Sequence, residues 1–222
     1  MQTILFDLDG TLVDTEPAAI LALKESFASW QLSISDEDTY FLTGRTWESA
    51  FIYLFNKYSL PVSETKAREI ISGRYRELIE TNLIAVPGGA EAVVALSTEY
   101  RLGLVSGSFR SDILWALNKL KVASHFEIIL GAEDYPRSKP HPDGYLKAIQ
   151  TLQCKPEGCL VFEDSSAGIQ SARAAGLWVV AITSTNYLQQ DQSLAHHSIP
   201  DLSEVNPEWV KRISKSFITS KK

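Results

Sequence analysis

The stretch that decides the fold is Thr3-Ile4-Leu5-Phe6-Asp7-Leu8-Asp9-Gly10-Thr11, near the start of the 222-residue chain. Its first half is apolar and partly β-branched, which is typical of a buried strand, and the glycine permits a sharp exit from that strand. Side chains alternate along an extended backbone, so Asp7 and Asp9 point to the same side. The stretch therefore predicts two carboxylates at one strand end, although Asp9-Gly10 is also a common turn dipeptide.

Short apolar runs along the rest of the chain alternate with helical patterns. The runs end in polar or glycine-containing turns and predict strands at Leu102–Ser106, Ile128–Gly131, Cys159–Phe162 and Trp178–Ile182. Apolar residues at helical spacing predict helices at Ala90–Tyr100, Ile113–Leu120, Tyr145–Leu152 and Ala167–Ala175. Strands that alternate with helices predict an α/β protein in which helices cover both faces of a parallel sheet.

A long helical segment interrupts this alternation between the first two predicted strands. From Pro17 to Leu83 the pattern is helical throughout, and a Pro87-Gly88-Gly89 turn follows it. This predicts an inserted helical cap domain over residues 15–85 and a discontinuous core formed by residues 1–14 and 86–222. Ligands of an open parallel sheet bind beyond the carboxyl ends of its strands, so the residues that follow each strand are the candidates for chemistry.

The composition argues against several classes of partner. The formal net charge is -6 and the pI is about 5.3, so the field of the chain disfavours nucleic acid and anionic membranes. No apolar run approaches the ~18 residues of a membrane span, and the first residues lack the features of a secretion signal. We therefore expect a cytoplasmic protein in which Cys154 and Cys159 are free thiols and Lys215–Lys222 is a frayed polar tail.

Polar residues suited to chemistry follow other predicted strands. Ser106-Gly107-Ser108 is a small-residue turn whose hydroxyl and amide groups suit a phosphoryl oxygen, unless Ser108 merely caps the next helix. Lys139 lies in a proline-bracketed loop that would restrict a cation, unless it is an ordinary solvated lysine. Glu163 and Asp164 end the fourth predicted strand, although Asp164 also suits a helix N-cap.

These signals agree with one another, although each is weak alone. A carboxylate such as Asp7 can attack phosphorus, and Asp9 can exchange a proton with the leaving group once a cation offsets their repulsion. Asp164, together with these two residues, provides the hard oxygen ligands that Mg²⁺ prefers, with room for water and a substrate phosphate. The strand ends thus predict phosphate chemistry at a Mg²⁺ site.

Together the motifs resemble those of the haloacid dehalogenase superfamily, and within it the small phosphatases and phosphomutases of the phosphoglycolate phosphatase and β-phosphoglucomutase subgroup. The resemblance extends from Ile4 to about Ile182. Its motifs are Asp7-Leu8-Asp9-Gly10-Thr11, Ser106-Gly107-Ser108, Lys139-Pro140 and Glu163-Asp164-Ser165. The resemblance implies a Rossmann-like core with a helical cap, and a phosphatase that hydrolyses a small phosphorylated metabolite.

The resemblance also implies catalytic roles. Asp7 would form an aspartyl phosphate, and Asp9 would protonate the departing oxygen and later activate water. The transferring phosphoryl group would be held by Ser106, Gly107 and Lys139. The helical cap would close over the pocket and select the substrate.

A Mg²⁺ cofactor belongs to the same implied site. Its ligands would be Asp7, the backbone carbonyl of Asp9, and Asp164, with Glu163 either a ligand or a partner outside the coordination sphere. The expected partner is a small phosphorylated metabolite, and neither a nucleic acid nor a membrane. Both a monomer and a dimer are compatible with the sequence.

Departures from the subgroup narrow the expected activity. Dehalogenases of this architecture lack the second aspartate of the first motif, so Asp9 favours phosphate esters. The β-phosphoglucomutase subgroup has a cap histidine where this chain has Ala19 and a cap arginine where it has Trp47, which favours a phosphatase over a mutase. A sugar phosphomutase and a non-catalytic phospho-ligand binding module stay open as alternatives.

One cap residue is a candidate for substrate recognition. Arg45 lies in the predicted loop Thr43-Gly44-Arg45-Thr46, between two helical patterns. A guanidinium there would suit an anionic or polyhydroxyl part of the substrate. An exposed or locally paired arginine is the alternative.

Overall fold

The strands predicted from the sequence are present, and shorter strands accompany them. The computed structural model describes residues 1–42 and 47–219. Its strands are β1 (Thr3–Phe6), β2 (Val13–Asp14), β3 (Ile84–Ala85), β4 (Arg101–Val105), β5 (Ile128–Leu130), β6 (Cys159–Glu163), β7 (Trp178–Ile182) and β8 (His197–Ile199). Its helices are α1 (Glu16–Ser29), α2 (Asp36–Leu42), α3 (Trp47–Lys57), α4 (Glu64–Thr81), α5 (Gly89–Leu96), α6 (Arg110–Lys119), α7 (Asp143–Thr151), α8 (Ser166–Ala174) and α9 (Pro207–Thr219).

The main sheet has six parallel strands in the order β5-β4-β1-β6-β7-β8. Strand β1 lies inside it, and Ile4 pairs with Leu102 of β4 and Leu160 of β6. All three side chains are buried, as expected for a sheet with both faces covered. The prediction of an α/β fold with a parallel sheet is confirmed.

The chain forms two compact units, Met1–Asp14 with Ala85–Lys222 and Thr15–Ile84. In the first unit, helices α7 and α8 pack against the sheet through side chains such as Tyr145 and Ile169, which are fully buried. This packing fixes the strands whose carboxyl ends carry the candidate residues.

The second unit consists of helices α1 to α4. Helix α4 begins after Ser63, whose hydroxyl accepts a hydrogen bond from the Lys66 amide, which satisfies one of the unpaired donors of the first turn. Helices α1 and α4 pack together. The apolar core of this unit comprises Leu23, Phe27, Ile34, Leu42, Ala50, Phe51, Leu54 and Ile71.

Two features of the carboxyl-terminal region differ from the sequence-based expectation. Strand β8 was not predicted, because His197–Ile199 lacks the apolar pattern of a buried strand, and its first two residues are exposed. The expected frayed tail is wrong in part, because α9 continues through Thr219 and buries Trp209 and Val210 on one side.

Two further expectations concern the cysteines and the membrane. Cys154 and Cys159 are free thiols, as predicted, with their Sγ atoms 3.2 Å apart. Among residues 1–42 and 47–219, no helix has both the length and the apolar character required to cross a membrane.

Candidate active site

The candidate nucleophile follows directly after β1. The backbone amide of Asp7 donates to the carbonyl of Phe162 at 3.0 Å, which extends the pairing of β1 with β6 by one residue. The Asp7 carboxylate is buried, and its Oδ1 lies 2.5 Å from Nζ of Lys139. The strand thus delivers a carboxylate to the sheet edge, where a cation from a distant loop meets it.

Lys139 also contacts Glu163, the last residue of β6. Oε1 of Glu163 accepts a further hydrogen bond from the Tyr145 hydroxyl at 3.1 Å, and Oε2 accepts from both the amide and the hydroxyl of Ser165, each at 3.1 Å. Glu163 is fully buried. Because partners satisfy both of its oxygens, Glu163 is well placed to anchor the Lys139 ammonium.

The acid–base properties of the site follow from this burial. Burial raises the pKa of Asp7 to about 8, Glu163 and Asp9 add to that rise, and Lys139 opposes it. Burial also raises the pKa of Asp164 well above its usual value. Although burial favours the neutral amine, the carboxylates of Asp7 and Glu163 raise the pKa of Lys139. The site therefore favours a protonated lysine and disfavours the ionised forms of Asp7 and Asp164.

Asp9 lies on the loop after β1 and is half-buried. The hydroxyl of Ser108 donates to its Oδ2 at 2.7 Å. Helix capping is therefore the wrong interpretation of Ser108, because the N-cap of α6 is Phe109. Ser108 instead links the loop after β4 to the carboxylate of Asp9.

Asp164 follows β6, and its carboxylate packs closely against Gly10. A Cβ atom on Gly10 would lie 2.1 Å from Oδ2 of Asp164, and the φ of Gly10 is +81°, so both the space and the backbone conformation require glycine. The N-cap interpretation of Asp164 is wrong as well. Ser165 caps α8, accepting a hydrogen bond from the Gly168 amide at 3.0 Å.

The turn after β4 lies at the same sheet edge. Ser106 is fully buried, and its hydroxyl accepts a hydrogen bond from the Ser108 amide at 3.0 Å, which leaves the hydroxyl proton of Ser106 for another acceptor. Gly107 is exposed, and a Cβ there would meet nothing within 4 Å. The turn thus has a buried hydroxyl with a proton to donate, next to an exposed backbone at Gly107.

The structure brings most of the sequence-predicted residues together in the first unit. Asp7, Asp9, Ser106, Gly107, Lys139, Glu163 and Asp164 all follow or end a strand or lie on the loop that reaches this edge. Arg45 lies outside the described residues. Sequence reasoning missed Tyr145, because a tyrosine in an apolar helical pattern indicates core packing and carries no sign of a hydrogen bond to Glu163.

The donor set fits a divalent cation. Asp7, Glu163 and Asp164 each offer a carboxylate oxygen, and these oxygens lie within 4.8 Å of one another. Three carboxylates face one ammonium here, and a hard cation such as Mg²⁺ favours this oxygen chemistry. Burial is the main cause of the raised pKa values of Asp7 and Asp164, and neighbouring carboxylates add to the rise. A bound cation would favour the ionised form of both groups.

Known proteins share much of this sequence and its fold. Protein CbbY from Rhodobacter capsulatus is 37% identical over 215 residues, covering 91% of this chain and 94% of that protein. Phosphoglycolate phosphatase from Salmonella typhi is 29% identical over 202 residues, covering 81% of this chain and 80% of that protein. The crystal structure of β-phosphoglucomutase from Clostridium difficile superimposes with a TM-score of 0.79 at 24% identity, covering 99% of each chain, and so shares the fold.

The family's sequence profile, described as haloacid dehalogenase-like hydrolase, matches residues 4–182. This span begins in β1 and ends with β7, and it includes every motif of the sheet edge. The chain belongs to the haloacid dehalogenase-like hydrolase family.

Proposed function

We propose that the chain is a Mg²⁺-dependent phosphatase that hydrolyses a small phosphate monoester through an aspartyl phosphate on Asp7. The observation that carries this proposal is the buried Asp7 carboxylate, held 2.5 Å from the Lys139 ammonium at the end of β1. A carboxylate that a neighbouring cation orients and that is shielded from bulk water suits covalent attack on phosphorus. The relative named phosphoglycolate phosphatase supports the same class of reaction.

The proposed reaction has two steps. In the first, a carboxylate oxygen of Asp7 bonds to phosphorus while the bond from phosphorus to the ester oxygen breaks, and Asp9 gives its proton to that oxygen. In the second, water attacks the phosphorus and gives a proton to Asp9, and the bond to Asp7 breaks. Phosphate leaves, and both side chains return to their starting states.

Residues around the nucleophile would bind and orient the phosphoryl group. The Lys139 ammonium and the Ser106 hydroxyl would bind its oxygens, and the exposed backbone of Gly107 would add a donor. Glu163 would act through Lys139, because its own oxygens already accept hydrogen bonds from Tyr145 and Ser165. These groups hold the transferring phosphoryl group without taking part in bond breaking.

Mg²⁺ would be held by the carboxylates of Asp7 and Asp164 and by the backbone carbonyl of Asp9. When bound, it supplies positive charge against the phosphoryl oxygens. Since Asp7 would otherwise share its surroundings with two further acidic groups, the metal would also favour the ionised nucleophile.

The test is the release of inorganic phosphate from a panel of small phosphate esters, with and without Mg²⁺. Wild-type protein should release phosphate only with the metal, and Asp7→Asn should release none. Acid quenching with a ³²P-labelled ester should trap label on the wild type and not on Asp7→Asn. Asp112→Asn, an exposed aspartate on α6, is the matched control and should behave as the wild type.

Other results would assign a different activity. Interconversion of sugar phosphates without net phosphate release would identify a mutase. Binding of phosphate esters with no turnover of any kind would identify a binding module, and full activity of Asp7→Asn would remove Asp7 as the nucleophile.

A further inference from the structure

The loop that follows β7, residues 183–192, contacts the motif loops on both sides of the candidate metal site. We call this segment the post-β7 loop. It belongs to none of the motifs found in the sequence, yet its side chains donate to the backbone of Gly10 and of Asp164. These two contacts indicate a role for the loop at the site.

The first contact fixes the loop that carries Asp9. Thr185 is buried, and its hydroxyl donates to the carbonyl of Gly10 at 2.6 Å. The amide of Gly10 in turn donates to the carbonyl of Val13 at 2.7 Å. Because a peptide group is planar and trans, an amide that is fixed toward Val13 turns the carbonyl of Asp9 the opposite way. Thr185 and Val13 thus hold the peptide groups on both sides of Gly10.

The second contact fixes the loop that carries Asp164. The side-chain amide of Gln192 donates to the carbonyls of Asp164 and Ile182, the latter at 2.8 Å. It therefore ties the residue after β6 to the last residue of β7. Gln190 adds to this connection, because its side-chain oxygen accepts from the amide of Ser166 at 3.0 Å.

These two loops also touch each other. The Asp164 carboxylate lies against Gly10 so closely that a Cβ on the glycine would be 2.1 Å from Oδ2. A small movement of either loop therefore changes the distance between the backbone of Asp9-Gly10 and the carboxylate of Asp164. The post-β7 loop holds one member of this pair through Thr185 and the other through Gln192.

We propose that Thr185 and Gln192 are positioning residues for the metal site. They fix the two loops whose Asp9 carbonyl and Asp164 carboxylate would hold Mg²⁺, and so they set the separation of these two groups. They touch neither substrate nor reacting atoms. Mg²⁺ requires near-ideal octahedral geometry, so its affinity is sensitive to such a separation. This inference rests on the proposed function only in assigning those two groups as Mg²⁺ ligands.

The test is direct Mg²⁺ binding by isothermal titration calorimetry on the metal-free full chain, without substrate. Thr185→Val keeps the shape of the side chain and removes the donor, and Gln192→Ala removes the other donor. Loss of an outer partner that orients metal-ligating residues typically costs roughly 10-fold or more in metal affinity, so we expect the Kd for Mg²⁺ to rise by about that factor in each variant. Thr185→Ser, which keeps the hydroxyl, should restore the wild-type Kd.

Two control variants identify the origin of the signal. Thr183 lies in the same loop, and its exposed hydroxyl donates to Ile199 and to neither motif loop, so Thr183→Val should bind Mg²⁺ as the wild type does. Asp164→Ala should abolish the binding heat, which assigns that heat to this site. Circular dichroism identifies any variant that does not fold. If Thr185→Val or Gln192→Ala does not fold, the other of the two, together with Thr185→Ser, tests the positioning role.

The outcomes separate this inference from the proposed function. Mg²⁺ affinities within twofold of the wild type in folded Thr185→Val or Gln192→Ala would overturn the positioning role and leave the phosphatase unaffected. Weaker Mg²⁺ binding in these variants, in a protein that hydrolyses no phosphate ester, would support the positioning role and remove the phosphatase. A wild type that binds no Mg²⁺ would overturn both.

Discussion

Nζ of Lys139 lies 2.5 Å from Oδ1 of Asp7, although 132 positions separate the two residues in sequence. The same ammonium contacts Glu163, so one cation lies between two buried carboxylates. Removing one partner of such a buried group leaves charge without compensation, which usually costs more than the intact pair contributes. The ammonium is therefore a structural element of the site as well as a candidate ligand for phosphate.

Lys139→Met should lower both stability and activity in the proposed phosphatase. We expect the free energy of unfolding of the metal-free protein to fall by about 3 kcal/mol, because Asp7 and Glu163 would then face each other across the gap. Adding Glu163→Gln should restore part of that stability and none of the activity. Urea denaturation and phosphate release of the two single variants and the double variant test this. If the stability lost in the double variant equalled the sum of the losses in the single variants, the prediction would be contradicted.

Ser108→Ala should lower kcat of the proposed reaction. The Ser108 hydroxyl donates to Oδ2 of Asp9. A hydrogen bond to the negative charge that develops on Asp9 as it gives up its proton contributes about 1.5 kcal/mol, which corresponds to roughly 10-fold in rate. Ser108→Thr keeps the hydroxyl and should recover most of the loss. Steady-state kinetics measure the effect, and Ser111→Ala, at an exposed position of α6, is the control. An unchanged kcat in Ser108→Ala would remove the orienting role.

Gly168→Ala should disrupt the site by displacing Glu163. A Cβ at this position would lie 1.7 Å from Oε1 of Glu163, the oxygen that contacts Lys139. The buried Glu163 side chain would have to move, and Lys139 with it, so we expect at least 100-fold lower kcat/KM and a lower melting temperature. Gly73→Ala in helix α4 is the matched control. A Cβ there meets nothing within 4 Å, and alanine should stabilise the helix by about 0.5–1 kcal/mol. If Gly168→Ala had the kcat/KM of the wild type, the present position of Glu163 would not be required for activity.

The sequence allowed the sheet and its carboxyl edge to be predicted for a simple physical reason. Parallel strands end at the same edge, so residues such as Asp7, Ser106 and Asp164, each found just after an apolar run, had to lie near one another. Lys139 was harder to place, because its loop follows no strand directly. The prolines around it predicted a restricted cation, and the resemblance to a family of known fold gave that cation its role in holding the phosphoryl group.

The contacts that connect these residues were beyond the reach of local patterns. Ser108 suits a helix cap as well as any serine does, and its acceptor Asp9 is 99 positions away. Thr185 and Gln192 lie in a polar loop without periodicity, and each acts through a side-chain bond to a distant backbone carbonyl. Such bonds depend on how loops meet in three dimensions, which neither spacing nor propensity encodes.

The helical unit has a buried carboxylate of its own, which gives a prediction about pH. Asp38 is buried and accepts hydrogen bonds from Tyr53 at 2.5 Å, from Ser35 at 2.8 Å, and also from Lys57 and Tyr58. Burial alone would raise the pKa of Asp38, but these donors together hold it well below its usual range. The ionised form is therefore the one that the folded unit stabilises.

Asp38→Asn should destabilise the protein at neutral pH by about 1–3 kcal/mol, since it places an amide before donors that require an acceptor. The pKa of Asp38 in the folded protein lies below its value of about 3.9 in the unfolded chain. The extra stability of the wild type over the variant is therefore complete above pH 5, and it is lost as the pH falls through 4 toward the folded pKa. Urea denaturation at pH 7, 5 and 3 should show that the difference in the free energy of unfolding between wild type and variant narrows only at pH 3. Asp36→Asn, whose exposed carboxylate pairs with Lys24, should change stability little at any of them. A gap that is equally wide at pH 3 would mean that the charge of Asp38 contributes nothing to the fold of this unit.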